Sequence, residues 1–179
     1  MTPEPLLTAV VRNFVAHLES LRYRVVGVGF LGVRYVFEAL AKVNRTDVAL
    51  KMLHATEYPS YGHNILGVEH ATSLWESWDG STMQQWFDES SRNHHFTASI
   101  NTFIRKYLGG LDQPYGHAGW QVVKCRPEAA HYGELLEKAN VQLASRRGNI
   151  SCSWLVKSIL PTATAPAQAQ APAPAPAAK

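Results

Sequence analysis

The feature that most restricts the fold is a change of period near residue 112. Before it, apolar residues recur at helical spacing. Leu6, Leu7, Val10, Val11, Phe14, Val15, Leu18 and Leu21 form one stripe, preceded by Thr2 and Pro3. A glycine-rich link with Gly27, Gly29 and Gly32 leads to a second helix from about Leu31 to Lys42, ended by Asn44. A third helix starts at the capping pair Thr46-Asp47 and runs to about Ala55. Tyr58 to Gly62 reads as a loop. A fourth helix, about His94 to Leu108, stops at Gly109-Gly110. After Asp112-Gln113-Pro114 the pattern alternates. Trp120 to Lys124 suits a short strand. Val141 and Leu143, then Ile150, Cys152, Trp154 and Val156, flank the turn Arg146 to Asn149 as a β-hairpin. From Pro161 the chain is Ala, Pro and Gln, the composition of an extended disordered tail.

The fold class is therefore mainly α with a C-terminal β region. Helices followed by strands imply two packed regions, not an alternating α/β sheet. The expected divisions are 1–111 helical, 112–160 β and 161–179 tail. Two or three strands are marginal alone, so the chain reads as part of a larger assembly.

Composition removes several classes. At 179 residues and 46% hydrophobic, the chain can bury a real core and is not a disordered protein. Its net charge of +3 is dispersed, which argues against a nucleic-acid groove. No apolar run approaches the ~20 residues of a membrane span. The N-terminus lacks the pattern of a signal peptide, and localisation stays open. Cys125 and Cys152 form no CxxC pair; a zinc site is not expected and a disulfide is left open. The sequons at Asn44 and Asn149 leave glycosylation open.

The stretch ATSLWESWDG, residues 71 to 80, carries the chemistry. It sets Glu76 between Trp75 and Trp78. Indoles stack on the apolar faces of sugars, and carboxylates handle protons and hydroxyls. Downstream, Ser91-Arg92-Asn93-His94-His95 adds polar and cationic groups at a helix start. Each segment alone also suits a purely structural role. His94, His95 and Glu76 lack the spacing of a metal site, so neither metal nor cofactor is expected.

Together, G-F-L-G-x-x-Y (29 to 35), F-E-A-L (37 to 40), D-V-A-L-K-M-L (47 to 53), E-Y-P-S-Y-G (57 to 62), the W-E-S-W-D segment, S-R-N-H-H-F (91 to 96) and Y-L-G-G-L (107 to 111) carry a resemblance. In collinear order they resemble the α-L-rhamnosidases of glycoside hydrolase family 78. The resemblance spans about residues 6 to 158 and implies the last hairpins of an (α/α)6 barrel, a partial six-hairpin glycosidase fold, followed by part of a β-sandwich. It implies inverting release of terminal α-L-rhamnose, with Glu76 as general base. Trp75 and Trp78 would line the sugar pocket, and His94 would donate to a rhamnose hydroxyl with Asn93 in support. Tyr61 and Trp86 would stand at the rim.

The chain departs from the family in three places. No segment matches the general-acid motif, Glu-x-x-Gly-Trp, that family members carry upstream. Ala98 stands where a glycine is usual. Tyr23 to Val28 is more apolar than the usual polar lead-in. The implied partners are a rhamnose-containing glycoside and the missing N-terminal half of the barrel, with no nucleic acid or membrane. Two other readings fit the same residues: a vestigial carbohydrate-binding module without the acid, and a six-hairpin glycosidase for another sugar. An incomplete toroid should leave Phe14, Leu18, Phe37, Leu40, Leu53 and Phe103 partly facing water and promote association.

Overall fold

The computed structural model describes residues 3–67, 70–78, 90–127, 132 and 135–155. The expected tail and Val156 lie outside them. Helix α1 spans Glu4–Ser20 and ends where Arg22 and Tyr23 take left-handed backbone, φ 52° and 59°. Helix α2, Phe30–Lys42, buries Val33, Val36, Phe37, Leu40 and Ala41, a stripe at helical spacing. Asn44 ends it as expected. It adopts φ 57°, its N–H reaches Ala41 O at 3.0 Å, and the Arg45 N–H reaches Leu40 O at 2.8 Å. Those two bonds close the last turn as a Schellman motif.

Helix α3 is Thr46–His54. Its cap differs from expectation. Arg45 holds the cap position, no side chain caps the helix, and Thr46 is buried at the first helical position. The first turn is steadied instead by a forked pair, Arg45 Nε and Nη2 to the two Asp47 oxygens at 2.9 and 3.0 Å. The supposed loop at 58–62 also gives way to a further helix, α4, Tyr61–Leu66. Ser60 caps it by accepting the His63 N–H at 3.0 Å. The apolar lead-in that departs from the family has a structural use. Val25 is buried in the core, and its N–H reaches Pro59 O at 3.0 Å.

The last helical run is composite: a 3-10 turn, Thr97–Ser99, then α5, Ile100–Phe103, then a π-helix, Ile104–Leu108. Helix α2 packs on α3 and α5. Phe37 is the centre of that contact, 5.5 Å from the Phe103 ring and 6.1 Å from Tyr61. Leu18, Phe37, Leu40 and Phe103, expected to face water in part, are buried in this core, because three packed helices and α1 enclose a core of their own, and Leu53 is half-buried against it. Phe14 does remain exposed. With Leu6 and Val10 it forms an outward apolar strip on α1.

The β region begins at once. Strand β1, Leu111–Asp112, pairs antiparallel with β2, Lys124–Cys125. The expected strand at 120–124 is thus shorter, since Trp120 takes φ 60° and breaks extended backbone. The hairpin is as expected: β3, Lys138–Ser145, pairs with β4, Gly148–Leu155, from Lys138↔Leu155 to Ser145↔Gly148. A Cys125–Cys152 disulfide ties β2 to β4 across a Cα separation of 5.7 Å.

This β region is bonded to the end of the π-helix. Trp154 Nε1 donates to Leu108 O at 2.8 Å, and the Tyr132 hydroxyl donates to Tyr107 O and Leu108 O. Carbonyls left over at a helix end need such partners. Gly110 lets the chain turn there. It has φ +74°, its carbonyl accepts the Arg126 N–H, and an added Cβ would lie 2.4 Å from Pro127 N.

Two outcomes follow. Gly110→Ala should destabilise by about 2 kcal/mol or more, whereas Gly116→Ala, with similar φ +84° but open space, should cost about 1 kcal/mol for the backbone alone. Equal losses in thermal melts would remove the close-packing account. Second, the hydrogen bond from Arg45 holds the Asp47 carboxyl below its ordinary range. That pair stabilises the fold above the ordinary carboxylate range and stops doing so as pH falls through the lowered value. Because the Asp47 side chain is 36% exposed, Asp47→Asn should cost only ~0.5 kcal/mol at pH 7. The melting difference from the parent should vanish in strong acid; a difference that persists there would refute the ion-pair origin.

Candidate active site

Two segments from different parts of the chain meet at the site. The first follows α4, where the Ala71 N–H is tied to Asn64 O at 2.8 Å. The second precedes the 3-10 turn. They bind each other through backbone: His94 N–H to Leu74 O at 2.8 Å, and Glu76 N–H to Ser91 O at 2.9 Å. The Ser73 hydroxyl adds a bond to Arg92 O. This ladder is what brings Glu76 and His94, 18 residues apart in sequence, face to face.

The carboxylate of Glu76 has two different oxygens. Oε2 accepts the Ser91 N–H at 3.1 Å, while Oε1 lies 4.0 Å from His94 Nε2. The side chains are 33% and 15% exposed, so the pair is sheltered but reachable from solvent. The His94 ring is held by aromatic neighbours. Phe30 meets it edge-on at 5.0 Å, Phe96 lies at 5.4 Å, and His95 stacks at 5.2 Å. Among the described residues its buried Nδ1 has no hydrogen-bond partner.

The two indoles play different parts. Trp75 is buried, with the Arg92 guanidinium 5.4 Å over its ring. Trp78 is half-buried; its Nε1 donates to Val28 O at 2.7 Å and its ring meets Tyr61 edge-on at 5.0 Å. Tyr61 itself is buried in the core, and its hydroxyl donates to Thr97 O at 2.8 Å. Asn93 is exposed, with its N–H on the Ser91 hydroxyl at 3.2 Å. Trp86 lies outside the described residues. Phe30, Val28 and the Ser91 amide are contributors that sequence reasoning missed. Phe30 looks like the first apolar residue of a helix, and a backbone amide leaves no signature at all.

A carboxylate with one oxygen fixed by an amide and the other facing an imidazole can take a proton from water and can hold a sugar hydroxyl. The bacterial alpha-L-rhamnosidase 6 hairpin glycosidase domain matches residues 1–108. The chain belongs to that family. Its relatives agree. An alpha-L-rhamnosidase of Streptomyces avermitilis is 29% identical over 161 residues, covering 88% of this chain and 15% of that protein. One from Alteromonas sp. (strain LOR) is 26% identical over 133 residues, covering 73% of this chain and 14% of that protein. The crystal structure of the Streptomyces avermitilis alpha-L-rhamnosidase complexed with L-rhamnose superposes with a TM-score of 0.68 at 27% identity, over 88% of this chain and 15% of that one. The native Aspergillus terreus enzyme gives a TM-score of 0.70 at 22% identity, over 86% and 17%, which supports the fold alone. The chain therefore spans about 15% of the length of the curated relatives it matches.

The site makes one prediction of its own. Arg92→Ala uncovers the Trp75 ring and should cost ~0.5–1 kcal/mol in chemical denaturation, with tryptophan emission moving to longer wavelength. In a Trp75→Phe background the same change should cost nothing further; an undiminished cost there would place the role of Arg92 elsewhere.

Proposed function

We propose that this chain carries the base-bearing side of an inverting α-L-rhamnosidase site, with Glu76 as general base. The observation that carries it is the Glu76 carboxylate, held by the Ser91 amide and turned toward His94. In this reading a water molecule sits against Glu76 and gives it a proton. The water oxygen attacks the anomeric carbon of rhamnose. The glycosidic bond breaks, and a carboxylic acid from another part of the barrel protonates the leaving oxygen. Inversion needs room for that water, so the two carboxyl groups stand about 6.5–9.5 Å apart. His94 binds a rhamnose hydroxyl, Asn93 supports it, and the indoles keep bulk water away. Trp86 is a further candidate for the pocket wall.

Residues 1–111 then form the C-terminal part of the barrel and 112–160 the start of a β-sandwich. The partner is the remaining barrel, which supplies the acid. A binding module without hydrolysis is the second reading.

With the remaining barrel supplied, p-nitrophenyl α-L-rhamnopyranoside should be cleaved and the first sugar released should be the β-anomer by proton NMR. Glu76→Gln should lower kcat by ~10²–10⁴ with little change in melting temperature. An α-anomer as first product, or full activity in the variant, would sink the base assignment. Rhamnose binding with no turnover in the completed barrel would favour the binding module.

A further inference from the structure

The hairpin carries the acceptor triplet Asn149-Ile150-Ser151, and the fold treats it differently from the other such triplet, Asn44-Arg45-Thr46. In a strand, residues two apart share a face. Asn149 and Ser151, the two side chains that define the triplet, are both exposed on β4. Ile150 lies on the opposite face with buried Cys152 and half-buried Trp154. Across the ladder Asn149 pairs with Ala144 and Ser151 with Gln142, and both partners are exposed as well. The turn ahead of Asn149 is firmly closed. The Ser145 hydroxyl accepts the Arg147 N–H at 3.1 Å and donates to Gly148 O at 2.8 Å. Space beside it is open: a Cβ added at Gly148 would meet nothing within 4 Å. A bulky group on Asn149 would thus have solvent before it and a fixed strand beneath it.

The other triplet is shut by the fold. Asn44 is exposed, but it closes the end of α2 with φ 57° and its N–H on Ala41 O at 3.0 Å. Arg45 is held in its fork with Asp47. Thr46 is 0% exposed, and its buried hydroxyl has no hydrogen-bond partner among the described residues.

An independent observation bears on the compartment. Both cysteines of the chain are joined, Cys125 to Cys152, and neither thiol is left free. Disulfides form and persist in oxidising compartments, and in a eukaryotic cell the lumen that forms them also glycosylates asparagine. Cys152 directly follows the triplet, so one strand carries both marks.

We propose that Asn149 is an N-glycan acceptor, and that the Asn149–Ser151 face of the hairpin is turned to solvent in the finished protein. The donor is a lipid-linked oligosaccharide pyrophosphate. Asn149 Nδ2 bonds to the anomeric carbon of its first sugar. The bond from that carbon to the pyrophosphate oxygen breaks, the lipid pyrophosphate leaves, and Nδ2 gives up one proton. A glycan there closes that face to any packed layer, so further β structure has only the face of Ile150 and Trp154 to cover. The inference is independent of the role of Glu76.

The test is expression of the full chain behind a cleavable secretory leader in insect cells. Gel mobility and peptide mass are read before and after N-glycans are removed by peptide N-glycosidase F. Secreted and membrane-retained chains are both analysed. One glycan should be found, at Asn149. Asn149→Gln and Ser151→Ala should each abolish the mobility shift, Ser151→Thr should keep it, and Asn44→Gln should leave it unchanged. The transfer acts on the chain as it enters the lumen, so the retained pool reports it even for a variant that fails to fold. Unmodified Asn149 in both pools, or a glycan at Asn44 in its place, would overturn the proposal.

Discussion

Tyr61 is the side chain that the core and the candidate site share. Its ring meets Phe37 at 6.1 Å on one side and Trp78 at 5.0 Å on the other. Its hydroxyl donates to Thr97 O, and the Thr97 hydroxyl in turn donates to His94 O at 2.7 Å. A buried hydroxyl must be bonded, and burial pushes the Tyr61 phenol well above the usual tyrosine range, so it stays a donor. One residue on, a Cβ at Gly62 would lie 2.4 Å from Ala55 O, so α4 is seated tightly against the end of α3. Packing among α2, α3, α4 and α5 therefore sets where Trp78 and His94 stand. The site is a consequence of the core.

How much of this was legible in the sequence depended on range. Helices α1 to α3 and the hairpin were readable because their period repeats over many residues, and Asn44 announced the end of α2. Helix α4 was not, because six residues from Tyr61 to Leu66 carry no stripe, and the polar Ser60 that caps it read as part of a loop. The cap of α3 was misplaced by one residue, because Arg45 takes the cap position without a capping side chain and the first turn is steadied by its fork with Asp47 instead. The π-helix was invisible for a different reason. Its leftover carbonyls are satisfied by Tyr132 and Trp154, and no local pattern reports a partner 24 or 46 residues away. The pairing of Glu76 with His94 is of the same kind. Residue type and resemblance named both; only the backbone ladder between 74–76 and 91–94 joins them.

The apolar faces teach a related point. Phe37, Leu40 and Phe103 were expected to face water in part, on the premise that a partial toroid cannot close over them. They are buried because the helices present meet one another around α2 before any further hairpin is needed. The apolar side left outward is on α1, where Leu6, Val10 and Phe14 follow each other at four-residue spacing. A sequence stripe gives the presence of an apolar face, not which neighbour claims it.

Why, then, is a glutamate set between two tryptophans? The indoles are not a shared wall. Trp75 is buried under Arg92, in the second segment of the site, and Trp78 is tied to Val28, ahead of α2. Each indole is thus fixed to a different distant part of the chain, and Glu76 lies between those two fixed points. The Ser91 amide then holds the carboxylate itself. In the proposed role of general base, Glu76 would have to meet a water and a sugar carbon within a fraction of an ångström and would gain from such anchoring, since a misplacement of ~1 Å can cost about a hundredfold in rate. On this argument the tryptophans serve position first and solvent exclusion second, and the run of Trp-Glu-Ser-Trp is a carboxylate with an anchor on either side.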